Sequence, residues 1–401
     1  MTPEEELAVR RFREVYGAEP AIVARAPGRL EILGNHTDYN DGFILSAALE
    51  LAIAAAADRS IEAPSRALLW SEALEPGSKP IERVIDGTET PSSTWTDYPV
   101  GVLREARKRG VDPGRLRLAF ATSLPMGAGV SSSAALELTT AEAAFELAGG
   151  RPSDPMEVAK LAQRAEVEFV GVPCGLLDQF SSVFGAKDHV LFLDCRTLEW
   201  DRVPLNAPGR PDVRLVIADT GTKHALADGK YRELRARCEA AAERLSTLLG
   251  RPVPKLRDVT LDEFLSVAAD IDSDDRRRAE HVIRENDRVL RGRRALREGR
   301  VDELGRLMLD SHASSRDLFG NSTGELDFLV DAASSLSGFI GAKLSGGGFG
   351  GATAHLVEAA RAEAFVAELD RRWRARFGRP LAAWITRPGD GSRARRLDAS
   401  A

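Results

Sequence analysis

The chain has 401 residues, 43% of them hydrophobic and 29% charged, with a formal net charge of -6. These proportions exclude a wholly disordered or low-complexity chain, and the acidic balance argues against a general nucleic-acid binder, which carries a basic excess. The length predicts two domains around separate cores.

In chain order, Leu7, Val9, Phe12 and Val15 fall at helical spacing within residues 4–16. The start around Glu4, Glu5 and Glu6 lacks the basic-then-apolar order of a secretory signal. No apolar run reaches the roughly 18 residues of a membrane span. Three widely spaced cysteines, Cys174, Cys195 and Cys238, suit neither a disulfide framework nor a zinc site. The expected compartment is therefore the cytoplasm. A β-rich stretch follows at residues 21–26 and 43–56, split by a polar loop at 34–42. Residues 98–109 read as a helix and 116–121 as a strand that ends in a Gly-rich turn. Helices are predicted over 132–147, stopped by Gly149-Gly150, over 155–170 and near 176–184, with a strand at 190–193.

Pro and Gly cluster over 206–211, the expected boundary between an N-terminal domain of residues 1–205 and a C-terminal domain of residues 206–401. Beyond it come a strand at 213–218 and long Arg/Glu-rich helices at 231–249, 276–298 and 301–315. The basic runs Arg276 to Arg278 and Arg291 to Arg294 sit among acidic residues and read as solvated helix faces. Two strands joined by a glycine turn, at 338–345 and 352–357, precede a helix over 359–377. Strands and helices interleave without a strict βαβ rhythm, which favours an α+β fold.

Three segments carry chemistry. Pro125-Met126-Gly127-Ala128-Gly129-Val130-Ser131-Ser132-Ser133-Ala134 joins a strand to a helix. A helix start presents unpaired N–H groups and partial positive charge to a phosphate, and glycines allow close approach. A plain capped helix is the equal alternative, since Ser is a preferred N-cap. The P-loop lysine is missing, so a P-loop NTPase is not supported. Gly346-Gly347-Gly348-Phe349-Gly350-Gly351 satisfies GxGxxG, yet a strand follows where a dinucleotide motif needs a helix. It marks a close backbone approach to a neighbouring helix or to phosphate. Finally, Arg29, Asn35, His36, Thr37 and Asp38, with Asp178 beside Gly175 and Gln179, place polar groups on Gly-bounded loops, as a polyhydroxylated ligand requires. Each of these residues, taken singly, also fits a structural role.

In this order, the segments resemble the galactokinase branch of the GHMP kinases. Residues 26–40 are similar to the branch signature APGRVNLIGEHTDYN, residues 125–134 to the phosphate loop PxGxGLSSSA, and Gly346 to Gly351 to GGGFGG. The stretch Phe169-Val170-Gly171-Val172-Pro173-Cys174-Gly175-Leu176-Leu177-Asp178-Gln179 is close to FVGVPCGIMDQ. Further matches are Asp194-Cys195-Arg196, Lys223-His224 with Tyr231, residues 256–260, and Ser311-His312, so the likeness spans nearly the whole chain.

The resemblance implies a two-domain GHMP fold with its active site in the interdomain cleft, and an ATP- and Mg²⁺-dependent sugar 1-kinase. It implies that Asp178 orients or deprotonates the anomeric hydroxyl and that Arg29 holds Asp178 ionised. Asn35, His36, Asp38, Gly175 and Tyr231 fall at sugar-binding positions. Pro125, Gly127, Ala128, Gly129, Val130, Ser131, Ser132, Ser133, Gly346, Gly347 and Gly348 fall at nucleotide-binding ones, with Ser71 and Trp95 near adenine. Ser133 and Glu166 match the Mg²⁺ ligands. The partners so implied are ATP and a galactose-like monosaccharide, with no nucleic acid or membrane, for a monomer or weak homodimer. Three departures stand out: Asn35 for the family Glu, Ser46 for a Pro, and residues 316–325 against RDDYEVSCPE. The first leaves a 1-kinase for galacturonate, arabinose or N-acetylgalactosamine as the alternative sugar reading. A non-catalytic sugar- and ATP-binding regulator is the alternative from another class.

Overall fold

The computed structural model describes residues 1–60, 65–112, 114–223 and 227–397. His224 lies outside them. The first sheet holds β1 (Ile22–Leu33), β2 (Phe43–Ser60), β3 (Arg66–Trp70), β4 (Ile81–Val84), β5 (Arg115–Thr122), β6 (His189–Asp194) and β7 (Trp200–Pro204). The second holds β8 (Val213–Lys223), β9 (Phe339–Leu344), β10 (Gly350–Glu358) and β11 (Ala382–Thr386), in the order β11-β8-β10-β9. The fold is α+β with two sheets, and the predicted boundary at 205/206 falls between β7 and β8. One element crosses it. The last strand, β12 (Arg393–Arg396), pairs antiparallel with β1, placing Ile22 opposite Arg396. The end of the chain thus belongs to the first sheet, where it covers the edge that β1 would otherwise leave open.

The helices are α1 (Pro3–Tyr16), α2 (Asp97–Lys108), α3 (Ser132–Ala148), α4 (Pro155–Arg164), α5 (Leu177–Phe184), α6 (Ala227–Leu249), α7 (Leu261–Val267), α8 (Ser273–Arg297), α9 (Val301–Ser314), α10 (Gly324–Ala333) and α11 (Ala362–Phe377). Local chemistry explains their ends. Pro3 opens α1 and Gly17 closes it in the left-handed conformation. Asp154 caps α4, its carboxylate accepting from the Met156 N–H. The helix predicted over 155–170 is one continuous feature, but it widens into a π-helical turn over Ala165–Val170, which re-aims the side chains there. Helices α2 to α5 share an apolar core that includes Phe145, Leu161 and Phe180, while Trp373 and Phe365 of α11 pack on the second sheet. None of the described helices is long and apolar enough to cross a membrane.

Strand β1, between β12 and β2, carries two bulges against β2, between Pro27 and Arg29 and between Glu31 and Leu33. A bulge bends a strand and turns its side chains. The two residues bracketed by the bulges, Arg29 and Glu31, both line the cleft between the sheets.

Candidate active site

The cleft holds a cavity of about 400 Å³. At its floor the first turn of α5 presents Asp178, whose side chain is 23% exposed. Arg29 Nε donates to Asp178 Oδ1 at 2.7 Å, and Ser131 Oγ donates to Oδ2 at 2.5 Å. A carboxylate held by one donor on each oxygen is fixed in rotation and keeps lone pairs for a substrate hydroxyl. Arg29 Nη1 also donates to the Gly129 carbonyl at 2.8 Å. One guanidinium thereby ties Asp178 to the loop that precedes α3.

That loop turns through left-handed residues at Gly127, Gly129 and Ser131. Ser131, at the N-cap position of α3, makes no side-chain cap, because its hydroxyl is turned to Asp178. The unpaired N–H groups at the start of α3 stay available for an anion. The late glycine turn meets this loop across the cleft: a Cβ on Gly346 would stand 3.6 Å from the Gly129 carbonyl.

The other wall comes from the β1–β2 loop. His36 has φ 60°; its ring lies between Tyr39 Oη, 3.1 Å from Nδ1, and the Gly347 carbonyl, 3.2 Å from Nε2. A carbonyl only accepts, so Nε2 carries the proton and Nδ1 accepts from Tyr39. Burial, reinforced by His281, lowers the His36 pKa to about 3 and keeps it neutral. Phe319 stacks on its ring, and Tyr231 of α6 stands 5.3 Å away. Asp38 is pushed up to about 6, first by burial and then by Glu31 and Asp178. Gly175 packs against it: a Cβ there would stand 2.0 Å from Asp38 Oδ2, so the carboxylate would have to move.

Asn35 differs from the expectation that its amide serves a sugar. It is 1% exposed, and Nδ2 donates to Glu31 Oε1 at 3.2 Å and to the Gly346 carbonyl at 2.8 Å. Its Oδ1 accepts from Asn321 Nδ2 at 2.9 Å and Ser315 Oγ at 3.2 Å. Two donors and two lone pairs are the whole capacity of an amide, so the protein itself saturates this side chain. Both other departures have local partners: Ser46 bonds Ser181 at 2.7 Å, and Ser315 and Asn321 flank or fall in the 316–325 stretch.

Ser71 and Trp95 do not line this cavity. The Ser71 hydroxyl accepts from the Leu74 N–H, and Trp95 Nε1 donates to Glu75.

Beside Asp178 lies a second acidic group. Glu166, in the π-helical turn, accepts from Gln179 Nε2 at 2.7 Å and is bonded by the Ser133 hydroxyl. Burial, then Asp178, raises its pKa; burial and Glu166 raise that of the enclosed Glu137 well above the ordinary range. Glu137 Oε1 and Gln179 Oε1 are buried without a hydrogen-bond partner. Crowded carboxyls with orphaned oxygens suit a divalent cation. No cluster of three or more His, Cys, Asp or Glu groups forms a complete metal site among the described residues. Mg²⁺ takes one or two protein ligands and fills the rest with phosphate and water. Ser133 and Glu166 fit that role.

Sequence reasoning missed Glu31, Glu137, Lys343 and Glu285. Glu137 shares the Ala-rich α3 with Glu142 and Glu146, so nothing local set it apart.

The galactokinase galactose-binding signature matches residues 10–59. The models of the GHMP kinase N-terminal and C-terminal domains match residues 97–186 and 293–375. Among relatives, the galactokinase of Thermotoga maritima is 40% identical over 369 residues, covering 92% of this chain and 98% of its own. That of Roseiflexus sp. is 38% identical, covering 95% of each. The structure of Lactococcus lactis galactokinase complexed with galactose superposes with a TM-score of 0.89 at 29% identity, covering 96% of this chain and 98% of that one. Methanococcus jannaschii mevalonate kinase, at TM-score 0.65 and 16% identity over 92% and 99%, shares the fold alone. An aspartate pinned by an arginine beside a Gly-rich helix start, in a chain matched over nearly its whole length, makes this protein a member of the galactokinase family of GHMP kinases.

Proposed function

We propose that the chain transfers the γ-phosphoryl group of ATP to the anomeric hydroxyl of D-galactose, giving α-D-galactose 1-phosphate and ADP. The observation that carries this reading is the Arg29–Asp178–Ser131 cluster, tied to the phosphate loop through Gly129. A sugar hydroxyl is a poor nucleophile; Asp178 orients it and accepts its proton. Arg29 bonds both Asp178 and the loop, so its charge stands between the attacking oxygen and the phosphoryl group and offsets the charge that builds there. The α3 amides hold the phosphates. His36, Asp38, Tyr231 and the backbone at Gly175 face the sugar, with Gly346 to Gly348 closing the phosphate side.

Ser133 and Glu166 would hold Mg²⁺, which when bound with the nucleotide neutralises its phosphate charge. The working state is a monomer or weak homodimer. Three free thiols and an ATP-dependent reaction suit a cytoplasmic enzyme.

The test is ADP release by the purified protein with galactose, galacturonate, arabinose and N-acetylgalactosamine at fixed ATP and Mg²⁺. Galactose is expected to give the highest kcat/KM. A better rate with another sugar replaces galactose as the substrate, and no sugar-dependent ADP release overturns the kinase reading.

A further inference from the structure

We propose that Glu31 is a sugar-contacting residue of this site: one of its carboxylate oxygens accepts a substrate hydroxyl, and Asn35 and Lys343 are the scaffold that aims it. The inference rests on reading the cavity as the sugar site. Glu31 and Arg29 are two residues apart on β1 and therefore share a face, and each borders one of the strand's two bulges. Glu31 is 4% exposed and lines the cavity. Its Oε1 accepts from Lys343 Nζ at 2.7 Å and from Asn35 Nδ2 at 3.2 Å. Among the described residues no hydrogen bond engages Oε2, and this atom is not sealed in the interior. It opens on the cavity.

The surroundings define the ligand chemistry. Lys343 is fully buried, and its ammonium is spent on Glu31 and on the Leu344 carbonyl. It pairs with Glu31 Oε1 without turning to the cavity. An ionised carboxylate only accepts hydrogen bonds, so Oε2 selects a hydroxyl and opposes a carboxylate on the ligand. Asp38 feels the Glu31 charge, which places both acids around one space. A neutral polyol satisfies that space and a uronic acid does not.

Asn35 has no hydrogen-bonding capacity left for a ligand, yet it touches Glu31 directly. In the signature APGRVNLIGEHTDYN these two positions read Asn and Glu; here they read Glu31 and Asn35. Amide and carboxylate have exchanged places across a contact. The Asn321 and Ser315 donors hold the relocated amide in its new role.

The experiment measures KM and kcat of wild type and Glu31→Gln with galactose and its 2-, 3-, 4- and 6-deoxy analogues. A hydroxyl bonded to a charged acceptor contributes roughly 10- to 100-fold in binding. Glu31→Gln should raise KM for galactose by about that factor, leave kcat within a few-fold, and leave one deoxy sugar unaffected. That single insensitive analogue identifies the hydroxyl. Because Gln strands the Lys343 charge, Glu31→Gln/Lys343→Met is run on the same panel, with galactose binding read by calorimetry. An equal loss with every sugar, or no change in KM, in either variant overturns the inference and leaves Glu31 a structural ion-pair partner. The wild-type arm is separate: if wild type does not turn over galactose, it is the proposed function that fails.

Discussion

Asp178 is held from two directions, by the Arg29 guanidinium of β1 and by the Ser131 hydroxyl of the loop before α3, and Arg29 also bonds that loop at the Gly129 carbonyl. Asp178→Asn is nearly isosteric but replaces one acceptor oxygen with an N–H facing a donor. It is expected to lower kcat by about 10²–10⁴-fold, the range for a positioned base, with the circular dichroism spectrum unchanged. An unaltered kcat would remove Asp178 from the chemistry. Asp38 makes a prediction of opposite kind. Its folded pKa of about 6 lies above the ordinary value of 3.8, with burial the main cause. The fold therefore binds this proton more tightly than the unfolded chain. The resulting stabilisation is complete below about pH 4 and is lost as pH rises through about 6. Asp38→Asn removes the buried charge, so its melting temperature should exceed that of wild type above pH 6 by a few degrees, on the order set by ~1 kcal/mol, and the difference should shrink toward pH 4. A difference independent of pH would show that Asp38 is not the titrating group.

At the scale of elements, the turn between β9 and β10 does several jobs with little more than backbone. The Gly346 carbonyl holds Asn35, the Gly347 carbonyl holds His36 and Asn321, and the Phe349 N–H donates to the Asn321 carbonyl at 2.7 Å. Gly348 has φ 80°, and a Cβ there would lie 2.2 Å from the Asn321 carbonyl. Gly348→Ala combines left-handed strain with that clash. It should destabilise the protein by about 1–3 kcal/mol and raise KM for sugar and ATP together, measured by thermal unfolding and steady-state kinetics; an unchanged KM for both would uncouple the turn from the site. This turn was readable in the sequence as a glycine run between two strands. The strand after it separated it from a dinucleotide motif, and β10 lies where that strand was expected. The long helices were equally legible from apolar period and end signals, α3 with its Gly149 stop above all. The short strands β3, β4, β7, β11 and β12 were not. Four or five residues carry little periodicity, and their pairing is decided by distant partners, as with Ile22 and Arg396. The buried charges stayed hidden for the same reason. Glu31 and Lys343 lie 312 positions apart, and nothing local in either distinguishes it from a surface residue.

Across the whole molecule, the two halves are joined at the site by buried polar contacts, and Glu285 of α8 is their centre. Its Oε1 accepts from the Gly34 N–H at 2.9 Å, the Asn35 N–H at 3.2 Å and Ser311 Oγ of α9 at 2.7 Å, while Oε2 accepts from Arg288 Nε at 2.6 Å. His281, one turn earlier, meets the Asn35 carbonyl at 3.1 Å. The loop that carries His36 and Asp38 is thus anchored on a helix from the other half of the chain. Burial alone would push the Glu285 pKa up, but Arg288, His281, Lys343 and the Gly34 N–H outweigh it and hold the carboxyl at about 2. With the folded pKa below the unfolded value of 4.5, the stabilisation is present above pH 4.5 and lost as pH falls toward 2. Glu285→Gln keeps the volume but turns an N–H toward Arg288 or toward the loop amides, leaving a buried charge unpaired. At pH 7 it should cost about 3–5 kcal/mol in urea unfolding and raise KM for the sugar through the displaced loop. The gap between wild type and variant should then narrow steadily from pH 4.5 downward, because wild type loses there what the variant never had. Equal gaps at pH 7 and pH 3 would mean that Glu285 is not held as a carboxylate, and that the joint between the halves depends on packing instead of charge.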